Sequence, residues 1–356
     1  MMRKYLLASA ILLPVISTAN AQSAVTLAGI VDGGIGFRTG ADAKGNTQWG
    51  FQSGAVQTSQ FVLKGTEDLG GGYSTYFYLA AGFLLGNGAS TNARLPTTSG
   101  SFLFDRGAWV GFKSVQLGSI QLGRNFTPFA DFLYQTDASG YANFASLSNT
   151  IYQNLSGITG AQYTWGNNAV KYLSPEFGGL SAELMQSIGG VAGDFAAGRM
   201  RSAALFYKYG PIAINGAYLD ANNPGGTAGS SLVARSYAVG ALYSGTSFRA
   251  SLNATNFRNP QIRTNQTFYS AGASYYLTPF FDIVADYTFL ADKVAARDGM
   301  YMKLGAHYLL SKATDVYMEG GIARNHSRGT VGVASVFPSN PGINQTGLML
   351  GLRKYF

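Results

Sequence analysis

The chain has two histidines, His307 and His326, and no cysteine. A thiolate nucleophile is therefore excluded, and two histidines on separate segments do not make a metal cluster. A serine hydrolase built around His307 would need its serine on a strained strand-to-helix turn, and no serine stands in one. Asp282 and Asp286 share one side of an extended segment, which sets them roughly 13 Å apart at ~3.3 Å per residue, too far for a working carboxylate pair. The glycines at 70–72 are not followed by a helix, so they read as a tight turn and not as a phosphate cradle. "SPEFGG" (174–179) joins two extended segments in the same way. No catalytic residue, metal ligand or cofactor is expected.

The polar residues sit instead on segments of strictly alternating character. In "FDIVADYTFL", Phe281, Ile283, Ala285, Tyr287 and Phe289 alternate with Asp282, Asp286 and Thr288. "MYMKLGAHYLL" sets Met302, Leu304, Ala306, Tyr308 and Leu310 against Lys303, Gly305 and His307. "SFRASLNATNF" opposes Phe248, Ala250, Leu252 and Ala254 to Arg249, Ser251 and Asn253. The closing "GLMLGLRKYF" places Leu348, Leu350 and Leu352 opposite Gly347, Gly351, Arg353 and Tyr355, so the chain ends inside a strand, on Phe356. Period-two alternation marks a strand with one apolar face. Segments of about ten or eleven residues exceed the usual strand of a soluble sandwich and suffice for a tilted strand to cross a bilayer.

Composition agrees with that destination. Arg3 and Lys4, the apolar run from Tyr5 to Ile16 and the small-residue site Ala19-Asn20-Ala21 form a secretory signal peptide over residues 1–21. Its removal takes Lys+Arg from 25 to 23 against 17 acids, so the net charge falls from +8 to about +6 for the mature chain 22–356. The basic residues are scattered singly, which excludes nucleic acid as an expected partner. Charged residues are only 12% of the chain, about half the usual share, and glycines number 47. An exported chain without disulfides relies on its core, on oligomerisation or on a membrane. No apolar run of about eighteen residues follows residue 22, so the one membrane-spanning solution left is a closed β-barrel.

Turn signals give the strand count. Short connections fall at 68–72, 115–118, 174–179, 209–211, 244–246, 277–279 and 311–314. Longer polar ones fall at 39–55, 87–101, 126–160, 191–198, 222–231, 258–265, 292–298 and 326–344. Their strict alternation predicts an all-β, sixteen-stranded antiparallel transmembrane barrel, short turns at one end and long loops at the other. Sixteen strands leave a lumen wide enough for water. Aromatics near the strand ends, among them Phe37, Tyr73, Phe83, Tyr207, Tyr209, Tyr243, Phe248, Tyr275 and Phe356, are expected at the edges of the apolar band, with Phe356 as the terminal anchor.

Several stretches carry a family likeness in the right order: "SAVTLAGIVDGGIGF", "LKGTEDLGGGYSTYFYLAAGF", "FDRGAWVGF" with "GSIQLGRNFTP", "AVKYLSPEFGGLSAEL" and the terminal "GLRKYF". The chain resembles the general porins of β-proteobacteria, the Neisseria, Bordetella and Burkholderia type. The resemblance implies a homotrimeric, water-filled diffusion channel of the outer membrane, passing small solutes and ions among lipid and lipopolysaccharide. It also implies a third loop, 126–160, folded inward against a basic wall. Here the chain departs from the pattern: the family's arginine before the "LKGTED" strand is Gln60, that of the R-x-x-N segment is Trp165, and a common glutamate is Ala80. Arg106 and Arg124 match family positions, although alternation from Val110 and Ile120 puts both on the apolar phase unless a bulge re-aims them.

The third loop carries Asp131 and Asp137 and no Lys or Arg. Both are expected to face a constriction wall of Gln60, Lys64, Arg106 and Arg124. Farther along the inner face Lys171, Lys208, Arg249, Lys303 and Arg353 stand against Asp32, Glu183, Asp282, Asp286 and Glu319, a near balance. The expectation is weak anion preference, with Trp165 shaping the passage more than charge does. An adhesin or anchor would need a passenger or plug, and 126–160 is too short for either. The alternative is a channel selective for sugars or small carboxylates; a sugar channel would use an aromatic slide, to which Trp165, Tyr134 and Tyr141 could contribute.

Overall fold

A computed structural model describes residues 24–91, 102–140, 142–144, 146–155, 163–222, 233–333 and 339–356. The signal segment, Tyr141 and parts of the connections at 87–101, 222–231 and 326–344 lie outside the described residues. The strands are β1 (Ala24–Arg38), β2 (Gln48–Ser53), β3 (Gln60–Gly70), β4 (Tyr73–Gly82), β5 (Gly107–Ser114), β6 (Gly118–Phe126), β7 (Trp165–Leu173), β8 (Leu180–Ser187) and β9 (Met200–Tyr209). They continue as β10 (Ile212–Asn222), β11 (Val233–Ser244), β12 (Phe248–Asn259), β13 (Thr264–Thr278), β14 (Phe281–Asp292), β15 (Gly299–Ser311), β16 (Thr314–Asn325) and β17 (Gln345–Tyr355). Two helices, α1 (Pro128–Thr136) and α2 (Leu147–Asn154), lie between β6 and β7.

From β3 onward each strand pairs antiparallel with the next, and β17 returns onto β1 from Ile30↔Tyr355 to Arg38↔Gly347. Phe356 adds two backbone bonds with Gly29, at 2.9 and 3.1 Å. Both β2 and β3 pair with the same edge of β1, β2 with Gly33–Arg38 and β3 with Ala24–Ile30. They are two halves of one stave, so seventeen segments build a closed barrel of sixteen strands.

Two connections differ from the sequence reading. The long connection expected at 39–55 contains β2, and the chain leaves the wall farther on, at 54–59. The connection expected at 258–265 shrinks to 260–263. In both places Gln and Asn mimic a loop, because the strands extend past the apolar band where polar side chains meet water.

Register fixes the faces. Leu348, Leu350 and Leu352 point outward, as do Val110, Ile120, Leu252 and Leu304, and all are solvent-accessible in the isolated chain. An apolar surface of that extent on a protein without its surroundings marks a membrane contact. No helix among the described residues is long and apolar enough to cross a membrane. Tyr73 stacks on Phe112 at 5.7 Å and Tyr243 approaches Phe248 at 6.2 Å near the short-turn end; Phe37 meets Trp49 at 5.0 Å near the other.

The packed core lies inside the barrel. Inward residues Phe206, Leu219, Phe257, Phe268 and Leu290 are buried in one cluster with Phe129, Phe132 and Leu133 of α1 and Leu147 and Ile151 of α2. Because the last strand is closed by Phe356 as well as by β1, deleting Phe356 should cut the heat-modifiable folded band on gels several-fold. Phe356→Tyr, which keeps the backbone bonds and an amphipathic ring, should leave that band near the wild-type level.

Candidate functional site

What fills the lumen is the segment between β6 and β7. Thr127 caps α1 by accepting from the Ala130 amide at 3.0 Å, with Pro128 in the first turn, a favoured helix start. The ends of the segment are then satisfied by the wall. Ser202 Oγ accepts from the Phe129 amide (3.1 Å), Ser251 Oγ from the Ala138 amide (3.1 Å), and Asn253 Nδ2 donates to the Thr136 carbonyl (3.0 Å). Gln266 Nε2 donates to the Asn154 carbonyl at the end of α2 (2.7 Å). Helix termini carry unpaired backbone groups, and these inward polar side chains supply their partners. Thus α1 lies along β8–β12 and α2 reaches β13 and β14.

Between the helices the segment meets the insert at 54–59. The amides of Asn143 and Phe144 donate to the carbonyls of Val56 (2.9 Å) and Ala55 (2.6 Å). The insert is itself held by Asp32, whose carboxylate accepts from the amides of Val56 (3.0 Å) and Gln57 (2.6 Å) and from Tyr317 Oη (2.5 Å). Asp32 is thus a clamp and not a pore charge.

The loop carboxylates do not face the wall expected for them. Asp131 pairs with Lys171 Nζ, which also meets Glu183 at 2.8 Å. Asp137 is buried on the β12–β14 side, accepting from Ser139 N (2.8 Å) and Oγ (2.7 Å). Asp131 turns toward the wall behind the loop because that wall supplies the cation, whereas Asp137 takes its donors from Ser139 of the loop itself. Lys303 and Glu319, expected on the open wall, form a fully buried pair at 3.0 Å beneath the loop, with Lys303 Nζ also 3.3 Å from the Phe144 carbonyl. Arg353 is committed to Asp315 (2.9 Å) and to Gln57 of the insert (3.1 Å). His307 sits between Glu319 (2.9 Å) and Asp282 (3.5 Å), and among the described residues no three His, Asp or Glu form a metal-sized group.

The wall from β3 to β6 is left uncovered by the helices, whereas β7 is tied to α1 through Lys171. Gln60 and Lys64 lie on the inward phase, opposite Ile30 and Thr26 of β1 and Gly82 and Tyr78 of β4. Arg106 precedes β5, and its Nε lies 2.8 Å from the point where a β-carbon on inward-facing Gly82 would stand, so its guanidinium covers the inner surface there. Arg124 stands opposite Ala108, on the apolar phase, beside a register break between Gly123 and Asn125. At this rim the bulge and the neighbouring loop decide where it points: Nε donates to the Asp105 carbonyl at 2.9 Å and a terminal nitrogen bonds Asn167.

Trp165 is 8% exposed, so it does not project into the passage as expected. The guanidiniums of Arg106 and Arg124 each lie 5.3 Å from its ring centroid, and its Nε1 donates to the Arg106 carbonyl at 3.1 Å. The indole is a spacer that holds two like charges by cation–π contact. Burial pushes the Tyr152 phenol of α2 up from its ordinary value, while the charges of Arg106 and Arg124 draw it back. Residues missed in the sequence are the insert at 54–59 and the apolar inner patch of Phe257 and Phe268. The patch could have been found as large apolar side chains on the polar phase.

A sixteen-stranded barrel narrowed by an inward loop is a pore architecture, and sequence comparison identifies which one. The Gram-negative porin family model matches residues 8–329. The chain belongs to the Gram-negative porin family. Among curated relatives, outer membrane porin protein 32 of Delftia acidovorans is 29% identical over the full length of both chains. An outer membrane porin protein of Bordetella pertussis is 29% identical, covering 68% of this chain and 66% of the relative. Among solved structures, the anion-selective porin from Comamonas acidovorans superposes with a TM-score of 0.81 at 24% identity, covering 94% of this chain and all of that one. The trimer form of OmpT from Vibrio cholerae gives 0.66 at 14% identity, covering 94% and 99%. This porin therefore resides in the outer membrane and forms a channel.

Removing one partner of a buried ion cluster leaves the others uncompensated. Lys171→Met should destabilise the porin by about 3 kcal/mol in urea unfolding from lipid vesicles and increase open-channel current noise as α1 loosens. Adding Asp131→Asn and Glu183→Gln should recover most of the loss. Trp165→Ala should change ion selectivity, because Arg106 and Arg124 lose their spacer, with little gain in single-channel conductance.

Proposed function

We propose that this porin, after removal of residues 1–21, works as a homotrimeric general diffusion channel with a modest preference for anions. The observation that carries the reading is the division of charge across the passage. On the uncovered wall stand Lys64, Arg106 and Arg124, and the carboxylate paired with an arginine there among the described residues is Asp105, which lies 3.5 Å from Arg106 and accepts from the Gly82 amide at 2.8 Å. On the other side Asp131, Asp137, Glu183 and Glu319 are paired or buried behind the loop. A passing anion meets cations directly, while the acids act on a passing cation only through the loop. A few fixed charges beside a low-dielectric wall set the potential in a narrow pore. The name of the Comamonas relative, an anion-selective porin, agrees with this sign.

The trimer reading is supported by the trimer form of the Vibrio relative. Lipopolysaccharide contact is supported on the outer face near the long-loop end, where Arg235 pairs with Asp220 at 3.0 Å and Arg258 stacks on Tyr237 at 5.1 Å. Cations at that level are placed for lipid phosphates.

Reversal potentials in a potassium chloride gradient test the selectivity. Wild type should favour chloride modestly, Gln60→Arg should raise the chloride-to-potassium ratio, and Arg106→Gln should lower it. Each change should shrink between 0.1 and 1 M salt, as the screening length falls from about 10 to about 3 Å. A cation-selective wild type, or a Gln60→Arg channel with unmoved reversal potential, would refute the reading.

A further inference from the structure

Below the level of Arg106 and Gln60, toward the short turns, the uncovered wall carries three aromatic rings that neither the fold nor charge selectivity requires. Tyr78 and Trp109 stand opposite each other in the β4–β5 register, and Tyr76 stands opposite Gly111. The Tyr78 and Trp109 rings are stacked at 5.4 Å with 13° between their planes, and Tyr76 meets Trp109 edge-on at 5.2 Å.

All three are on the inward phase. Tyr78 lies opposite Lys64, which is itself opposite Thr26 on the face shared with Asp32. Tyr76 Oη accepts from Gln121 Nε2 at 3.3 Å, and Gln121 pairs in register with Lys171, the residue that holds the lumen loop.

The strand beneath the rings is shaped for them. A β-carbon at Gly107 would stand 2.9 Å from the Tyr78 ring, and one at Gly111 would stand 2.6 Å from the Tyr76 ring. With hydrogen at both positions the tyrosines lean across β5 on either side of Trp109, making a plate of Tyr78 and Trp109 with Tyr76 as its upright edge. None of the three is fully buried, so part of the plate is open to the lumen.

Neutral Thr66 and Gln121 flank Tyr76, and cations stand at the Tyr78 end of the plate. Lys64 is exposed beside Tyr78, and none of the ion pairs found among the described residues uses it. Arg106 lies above the same wall. The nearby carboxylate, Asp105, already accepts from the Gly82 amide and from Thr91. A sugar platform would add acceptors for hydroxyl groups, whereas a π-face flanked by a lysine suits a flat ring bearing a negative charge.

Resting on the channel reading above, we propose that Tyr76, Tyr78 and Trp109 with Lys64 form a transient binding plate for small aromatic carboxylates. The ring of the solute stacks on the plate while its carboxylate meets Lys64.

The test is block of potassium chloride current through the purified porin in planar bilayers by benzoate, with cyclohexanecarboxylate as a probe of equal charge without a π-face and glucose as a neutral probe. Benzoate should block at a threefold to tenfold lower concentration than cyclohexanecarboxylate, the ratio that ring stacking supplies, and glucose should be weaker than both. Trp109→Ala should abolish the difference between the two acids, and Trp109→Phe should keep part of it. Lys64→Gln should weaken both acids by the same factor. Equal block by the two acids in wild type, an undiminished difference in Trp109→Ala, or glucose block as strong as benzoate would overturn the plate. Unblocked current in potassium chloride reports channel formation separately, so loss of the porin reading itself would show as missing conductance.

Discussion

A strand ladder that closes on itself is the constraint from which the other features follow. In hydrocarbon an unpaired amide has no water to turn to, so the sheet cannot have an edge. The pairing of β17 with β1, completed by Phe356 and Gly29, removes the only two edges the sheet would have. Closure then dictates alternation: within the apolar band one phase faces lipid and the other faces the lumen, and a bulge such as that at Gly123 is needed to break the rule. It also explains why one stave can be split into β2 and β3 without opening the wall, since β1 keeps a partner along both halves and the six residues between them turn inward.

Closure creates an interior too wide to fill with wall side chains, and the chain solves this asymmetrically. The segment holding α1 and α2 covers the β8–β14 side, where Phe257, Phe268 and Leu290 give it an apolar seat and Ser202, Ser251, Asn253 and Gln266 satisfy its helix ends. The β3–β6 side stays open to water. Burying backbone in a lumen is tolerable only with such a full set of partners, because an orphaned polar group costs on the order of 1–3 kcal/mol.

This asymmetry changes what the charges mean. A sum over the inward phase treats Asp32, Asp131, Lys171, Glu183, Lys303 and Glu319 as equal contributors to the pore field. In the folded chain they are fasteners: Asp32 clamps the insert, Lys171 ties α1 to β7 and β8, and Lys303 with Glu319 lies under the loop. In the proposed reading the field along the passage is left to Lys64 and to Arg106 and Arg124, both packed on Trp165.

Sequence alone determined the class, the number of staves and the facing of most strands, because period-two alternation and the rhythm of short and long connections are local. It also placed Leu348, Leu350 and Leu352 outward and Asp282, Asp286 and Lys303 inward. It did not reveal the insert at 54–59, since "Gly-Ala-Val-Gln-Thr-Ser" reads equally well as loop or weak strand until Asp32 is known to hold it. Nor could it aim Asp131, Arg124 or Trp165. Which of several inward cations a loop carboxylate meets depends on where the loop crosses the lumen, a contact between residues 40 positions apart for Asp131 and Lys171. At the rim, a bulge at Gly123 breaks the alternation on which facing is read. Strand phase is a local property and survives in the sequence; the choice of partner inside a wide lumen is a long-range one, decided only when the barrel has closed around its loop.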